Sequence, residues 1–250
     1  MSSPKFARAL VIGASSGIGE AIARQLHREG AQVAIVARRA AELERVAGEL
    51  NAVRADTAHA FPHDVKNFAE APVVLERAVA TMGGLDLVVY ASGILWPIRE
   101  HEYDFDKERE TIEVNLLGAL AWLNPVVARF EAERGGTVLG ISSIAGDRVR
   151  RRNVAYATSK TALTAYLEGV RNRSARYGVR IVTAKPGYVD TRLTRGMKGR
   201  FWLVSAEVAA ARCLALARSG AAEGYVPRRW WILARIVKAI PSRIFTKLNF

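Results

Sequence analysis

The sequence predicts one α/β domain: a doubly wound parallel sheet of seven strands with helices on both faces. Three observations predict it. Short β-branched runs alternate with longer helical runs along the chain, the pattern of a parallel sheet joined by helical crossovers. Runs such as "VAIVA" and "LVVYA" are continuously apolar, as strands buried on both faces are. The chain has 250 residues, 50% of them hydrophobic, which suits a single sizeable core.

"ARALVIG" reads as the first strand, and "GIGEAIARQLHREG" as a helix closed by Gly30. "AQVAIVA" is a second strand and "AAELERVAGEL" a helix. "AHAFPHD" is a third strand, followed by the helix "APVVLERAVATMGG" with Pro72 in its first turn. "LDLVVYA" is the fourth strand, and a long helix runs from about Asp106 to Trp122. "GTVLGISS" is the fifth strand, "VAYATSKTALTAYLEGVRNRSARYG" a long helix, and "VRIVTAKPG" the sixth strand. "SAEVAAARCLALARSG" is a helix capped by Ser205 and ended by Gly220, and "GYVP" is a short seventh strand. Residues 1–226 are read as the domain and 227–250 as a basic, amphipathic C-terminal extension.

Bulk properties narrow the function classes. Cys213 is the one cysteine. It cannot close an internal disulfide, and no Cys/His cluster has metal-ligand spacing, so a reducing compartment and no metal are expected. It reads as a small buried hydrophobe. The N-terminus carries no signal-peptide pattern, and its apolar stretch "ALVIG" is too short for a span. The net charge of +13 sits in the second half. Asp147 to Arg200 holds fourteen Lys and Arg against three acids, and Tyr225 to Phe250 holds six and no acid. Such an excess suits an anionic partner. Nucleic acid is not expected, since there is no recognition helix and no aromatic single-strand platform.

The glycine-rich "GASSGIG", Gly13 to Gly19, lies between the first strand and the first helix. Gly13 permits a tight turn, Gly17 lets backbone approach a phosphate, and Gly19 allows close helix packing. The helix N-terminus then offers free N–H groups and a positive dipole end to a pyrophosphate. The second strand ends "AIVARR". A site for an unphosphorylated ribose would put Asp or Glu there; Ala37 has no carboxylate, and Arg38 and Arg39 suit a 2′-phosphate. NADP(H) is therefore the expected cofactor, with Arg38 the stronger contact. Asp64, after the third strand, is read as accepting from the adenine amino group or capping the next turn, with Val65 against the ring. Tyr156 and Lys160 stand four apart on one helix face. An ammonium beside a phenol lowers the phenol's pKa and makes it a usable acid for a developing alkoxide.

"GASSGIG", "YASG", "VNLLG", "GISSIAG", "YATSK" and "KPGYVDT" occur in this order. As a set they resemble the short-chain dehydrogenase/reductase family, over roughly Ala7 to Tyr225. The resemblance implies a Rossmann-type fold and a catalytic tetrad. Ser143, thirteen residues before Tyr156 and preferred for that reason to Ser142, would hydrogen-bond the substrate carbonyl. Tyr156 would donate the proton, Lys160 would tune it and hold the nicotinamide ribose, and Asn115 would help hold a water in the proton relay. Thr191 would meet the nicotinamide carboxamide. Ser15, Ser16, Ile18, Ala91, Ser92, Gly93, Pro186, Gly187 and Val189 complete the implied cofactor contacts. The family's Asn-Asn-Ala-Gly is "YASG" here: Gly93 is kept, but Tyr90 and Ala91 lose the asparagines that brace neighbouring strands.

The basic loop "RVRRR" at Arg148 to Arg152 lies between Ser143 and Tyr156, and so borders the expected pocket. "TRLTRGMKGRFW" stands where the family has its substrate lid. In the extension, Arg228, Arg235, Lys238 and Ser242 fall near one side of a helical wheel, with a wide apolar face opposite. Pro241 should break this helix ahead of a second short piece. Paired tryptophans among cations fit an in-plane membrane helix; a dimer contact or a flap over the pocket is the other reading. The sequence thus suggests an NADPH-dependent reductase of a ketone on a hydrophobic or lipid-like substrate, such as a 3-keto lipid, a ketosphinganine-like compound or a hydroxysteroid. The alternatives are a 3-oxoacyl-thioester reductase served by acidic acyl carrier protein, and a non-catalytic NADP(H) sensor. A homo-oligomer in the cytoplasm is expected, with a peripheral contact on the inner face of a membrane through 228–250.

Overall fold

The computed structural model describes residues 6–99, 101–197 and 199–248. Seven parallel strands form the central sheet: β1 (Arg8–Ile12), β2 (Gln32–Ala37), β3 (Ala58–Pro62), β4 (Leu87–Tyr90), β5 (Thr137–Ile141), β6 (Arg180–Pro186) and β9 (Glu223–Val226). Two short strands, β7 (Val189–Asp190) and β8 (Val204–Ser205), pair apart from it. The sheet order is β3-β2-β1-β4-β5-β6-β9. The chain therefore winds outward from β1, returns, and continues from β4 in the other direction. That reversal leaves a crevice beyond the carboxyl ends of β1 and β4, where ligands bind in such sheets.

Helices α1 (Gly17–Arg28), α2 (Ala40–Val53) and α7 (Ala206–Ser219) cover one face. Helices α3 (Ala71–Met82), α5 (Gly118–Ala132) and α6 (Val154–Ser174) cover the other. The period of two decides the partition. Along β1, Ala9 and Val11 enter the first core with Ile22, Leu26 and Leu214, while Leu10 and Ile12 enter the second with Leu75, Trp122 and Leu163. Cys213 is fully buried in the first core, and burial lifts its thiol pKa to about 12, so it packs as a small hydrophobe.

The helix expected to end near Trp122 runs further. Helix α4 (Phe105–Ile112) continues through a π turn at Glu113–Leu117 into α5, which passes Pro125 and ends at Ala132. A proline inside a helix costs about 3 kcal/mol. Burial of Trp122, Leu123, Val126, Val127 and Phe130 along the same face returns roughly 1.5–3 kcal/mol for each side chain, and so outweighs it. The stretch Phe105–Ala132 has the length and hydropathy of a membrane span, but half of that window is buried inside the fold.

After β9 come α8 (Trp230–Ala239) and α9 (Ser242–Phe245), divided at Pro241 as the sequence suggests. The partition of α8 differs from the helical-wheel reading. Trp230 and Ala234 turn inward and are buried, while Ile232 and Ile236 face solvent with Trp231 and Arg235. The apolar residues therefore occupy both sides of the helix.

Candidate active site

A cavity of about 990 Å³ opens at the crevice between β1 and β4. Every residue expected to bind cofactor or substrate lines it except Asn115, which stands directly behind Gly93. The glycine-rich turn is built as its spacing implies. Gly13 has φ +90°, and a Cβ there would come within 2.5 Å of Ser92 N. The turns after β1 and β4 can thus touch only because position 13 has no side chain. Gly17 has φ +61°, and a Cβ there would meet Thr191 Cγ2 at 3.2 Å; Gly19 packs on the carbonyl of Gly13. Helix α1 starts at Gly17, with Ser16 as an N-cap whose side chain makes no capping bond. The first-turn N–H groups are thereby aimed at the crevice, a setting made for phosphate.

The two arginines after β2 part company. Arg39 Nη2 donates to Ser15 O (3.2 Å), Ser15 Oγ (2.8 Å) and Ser16 Oγ (2.9 Å). Arg38 is 60% exposed and lies 3.7 Å from Asp64 Oδ2 and 3.8 Å from Glu110 Oε1. The guanidinium held against the phosphate-type loop is that of Arg39, while Arg38, expected as the stronger contact, also lines the cavity. Arg38 is drawn away by carboxylates that its sequence neighbours do not reveal. Asp64 Oδ1 accepts from Lys66 N at 3.0 Å, so it caps the turn, and Val65 is buried beside it. Pro186, Gly187 and Val189 carry the lining from the end of β6 to Thr191.

The tetrad residues converge from three elements. Tyr156 and Lys160 share one face of α6, with Lys160 Nζ 5.8 Å from the Tyr156 ring centroid. Lys160 Nζ donates to Ile141 O at 3.0 Å. A Cβ on Gly93 would meet Asn115 Oδ1 and Lys160 Nζ, each at 3.4 Å, so both groups meet at this glycine. Asn115 sits in the π turn, fully buried. Its Nδ2 donates to Ile94 O and Ser159 Oγ, each at 3.0 Å, and its Oδ1 accepts from Ile94 N at 2.7 Å. One acceptor lone pair is left for a water. Ser142 Oγ turns away, donating to Lys160 O at 3.0 Å. Ser143 Oγ accepts from Ala145 N at 3.1 Å, and its hydroxyl acts on the Tyr156 phenol to lower its pKa against the effect of burial.

The phenol's pKa moves in the opposite direction to the sequence expectation. Burial lowers the Lys160 pKa to about 8. Burial also raises the Tyr156 phenol above its ordinary value, and the opposing influence is the Ser143 hydroxyl rather than the lysine. Desolvation acts on both groups, and it acts on Lys160 where its Nζ sits between Ile141 O of β5 and Gly93.

The loop after Ser143 and the extension form one unit. Arg148, Arg150 and Arg152 line the cavity. Arg148 donates to Lys238 O at 3.0 Å and lies 4.3 Å from the Phe245 ring centroid; Arg151 donates to Leu248 O at 3.3 Å. Asp147, nearly buried, accepts from Lys185 at 3.2 Å and from Lys238 at 2.9 Å. Trp230 packs on Tyr188 and Phe201, with ring centroids 5.9 and 5.0 Å away, and its indole fills the space over Gly187 that a Cβ would need. Tyr188 and Phe201 line the cavity. Through Trp230 the extension backs the pocket wall from outside.

Sequence reasoning missed several of these roles. Tyr90, read as a lost brace, is fully buried and its hydroxyl donates to Val114 O at 2.8 Å, inside the π turn that carries Asn115. Lys185 and Asp147 form a buried pair between β6 and the basic loop, 38 residues apart in sequence with no local signal. Trp96 and Glu110 also line the cavity, joined by a 3.0 Å hydrogen bond. Among the described residues no group of His, Cys, Asp and Glu could hold a metal.

Known proteins share this architecture and its motifs. The family model described as short chain dehydrogenase matches residues 7–199. An uncharacterized oxidoreductase of Staphylococcus aureus (strain MW2) is 34% identical over 186 residues, 74% of this chain and 79% of that protein. A putative NAD(P)-dependent gluconate 5-dehydrogenase from Beutenbergia cavernae, solved with bound NADP, superposes with a TM-score of 0.81 at 27% identity, covering 90% of this chain and 96% of the other. A short-chain type dehydrogenase/reductase from Mycobacterium marinum gives 0.78 at 25% identity, covering 87% and 91%. With the glycine turn and the Tyr156–Lys160 face meeting in one crevice, these likenesses establish that the chain belongs to the short-chain dehydrogenase/reductase family and is an NAD(P)-dependent oxidoreductase.

Proposed function

We propose that the protein is an NADPH-dependent reductase of a ketone borne on a hydrophobic, lipid-like molecule. The reading rests chiefly on the cavity wall, where Tyr188 and Phe201, backed by Trp230, join Trp96 and Ile94 around the proton-donating face of α6. Aromatic surface of this kind favours apolar substrate over a small polyol. The choice of NADPH is supported by Arg39, held beside Ser15 and Ser16, and by the absence of a carboxylate at the end of β2.

The bound nicotinamide would supply a hydride to the carbonyl carbon. Ser143 would donate to the carbonyl oxygen, and Tyr156 would hand its phenolic proton to that oxygen as negative charge develops on it. The raised pKa of Tyr156 keeps that proton in place at neutral pH. Lys160 and Asn115, meeting at Gly93, would hold the ribose end and the water that returns a proton to Tyr156. Thr191 over Gly17, with Pro186, Gly187 and Val189, would close the nicotinamide end.

Tyr156→Phe removes the donor while leaving the ring. It should cut NADPH-dependent ketone turnover by at least roughly 10²–10⁴-fold and leave NADPH binding, followed by fluorescence titration, within about twofold. Unchanged turnover would sink the mechanism. A second reading is favoured by Arg148, Arg150 and Arg152 in the lining: the ketone could arrive as a 3-oxoacyl thioester on an acidic carrier. A panel of long-chain ketones, hydroxysteroid-type ketones and 3-oxoacyl thioesters separates these, and tight NADPH binding without turnover of any of them would leave a sensor.

A further inference from the structure

We propose that the outward face of α8 and α9 docks on an anionic phospholipid bilayer, lying in the plane of the interface. This goes beyond the reductase reading and does not depend on it. A helix on a globular surface normally turns its apolar residues inward and its charges outward. Helix α8 turns Trp230 and Ala234 inward, as anchors. It still exposes Trp231 by 47%, Ile232 by 57% and Ile236 by 58%, and α9 exposes Ile244 by 53%. Trp230 and Ala234 are the buried residues of α8, while Ile232, Ile236 and Ile244 stay more than half exposed among the described residues.

The charge on the same elements selects the occupant. Arg228, Arg229, Arg235, Arg243 and Lys247 accompany these apolar residues, and no acid occurs from Gly224 to Phe250. Arg235 lies 5.1 Å from the Trp231 ring centroid and Arg229 4.9 Å from that of Trp202. Guanidinium beside indole places a cation at headgroup depth with an aromatic ring just below it, the arrangement of an interfacial helix. A second copy of this chain fits poorly. A two-fold contact would set this acid-free face against itself and bring like charges together with no carboxylate between them. A bilayer carrying negative headgroups meets both the apolar residues and the charge.

The test uses the full chain in flotation with phosphatidylcholine vesicles, with and without phosphatidylglycerol, at low and high salt. The wild type should partition onto anionic vesicles at least tenfold better than onto neutral ones, and salt should weaken it. Ile232→Ser with Ile236→Ser, both at solvent-exposed positions, should lose at least roughly tenfold of that binding. Arg235→Glu with Arg243→Glu should lose it on anionic vesicles alone. Absence of flotation at low salt, or flotation untouched by both pairs of changes, overturns the proposal. So does a wild-type dimer in sedimentation that the isoleucine changes dissociate, since the face would then belong to a second copy. NADPH binding and ketone reduction are followed in the same samples. Vesicle binding without turnover would count against the reductase reading alone, and turnover without vesicle binding against docking alone.

Discussion

Two adjacent arginines at the end of β2 show how much one position decides. Arg39 reaches back to Ser15 and Ser16, while Arg38 leans toward Asp64 and Glu110. A charge-assisted hydrogen bond to phosphate is worth about 1.5–3 kcal/mol. Arg39→Ala should therefore lower kcat/KM for NADPH by about 10–150-fold and change that for NADH by less than about threefold. Arg38→Ala should cost much less, because its guanidinium is 60% exposed and already shared with two carboxylates. Steady-state kinetics with both nicotinamides checks this; an equal loss from the two substitutions would return the main role to Arg38. The sequence shows that a basic pair stands where an acid would hold an unphosphorylated ribose, and the proposed phosphate preference starts from that pair. Which arginine turns inward depends on Ser15 and on Glu110, 24 and 72 residues away from their partners, and no local pattern carries it.

Elements were legible where their period is long. The helix carrying Tyr156 and Lys160 is 21 residues, and the spacing of its apolar positions sets its facing without help from elsewhere. Strands β7 and β8 are two residues each, too short for any alternation to register. The π turn was hidden because nothing in "VNLLG" marks an extra residue in a helical turn, yet it fixes Asn115, and the Tyr90 hydroxyl bonded to Val114 O supports it. Such turns recur at functional sites because they re-aim one side chain. Helix α8 was legible as a helix but not in its facing, since the anchor for Trp230 is built by Tyr188, Phe201 and Gly187 from distant segments. Trp230→Ala should cost about 3–5 kcal/mol of stability and loosen the two aromatic residues of the cavity wall. The expected outcome is a lower Tm with KM for the ketone raised and NADPH affinity unchanged, followed by thermal melts and steady-state kinetics. A lower Tm with unaltered KM would make Trp230 a core residue and nothing more.

At the scale of the whole molecule, an excess of thirteen positive charges surrounds a core that nevertheless holds a buried ammonium. Lys160 is 4% exposed and its pKa is lowered to about 8 by burial, against 10.5 for an ordinary lysine. Below pH 8 the group is charged in both folded and unfolded chains, and the fold bears the whole cost of desolvating it. Between pH 8 and 10.5 the unfolded chain binds more protons than the folded one, so stability rises with pH. Above 10.5 both are neutral and the cost is gone. At 1.36 kcal/mol per unit, the relief between pH 7 and pH 10 is about 2–3 kcal/mol. Other titrating groups act alike in the wild type and in Lys160→Met, and the lost bond to Ile141 O does not vary with pH. The difference between the two proteins in denaturant unfolding should therefore move by about 2–3 kcal/mol in favour of the wild type over that range. Near pH 7 the methionine protein should gain stability from the removed charge while losing turnover. A gap that stays constant with pH would mean that the ammonium is not desolvated, and the burial of Lys160 against Ile141 O would not be what sets its chemistry.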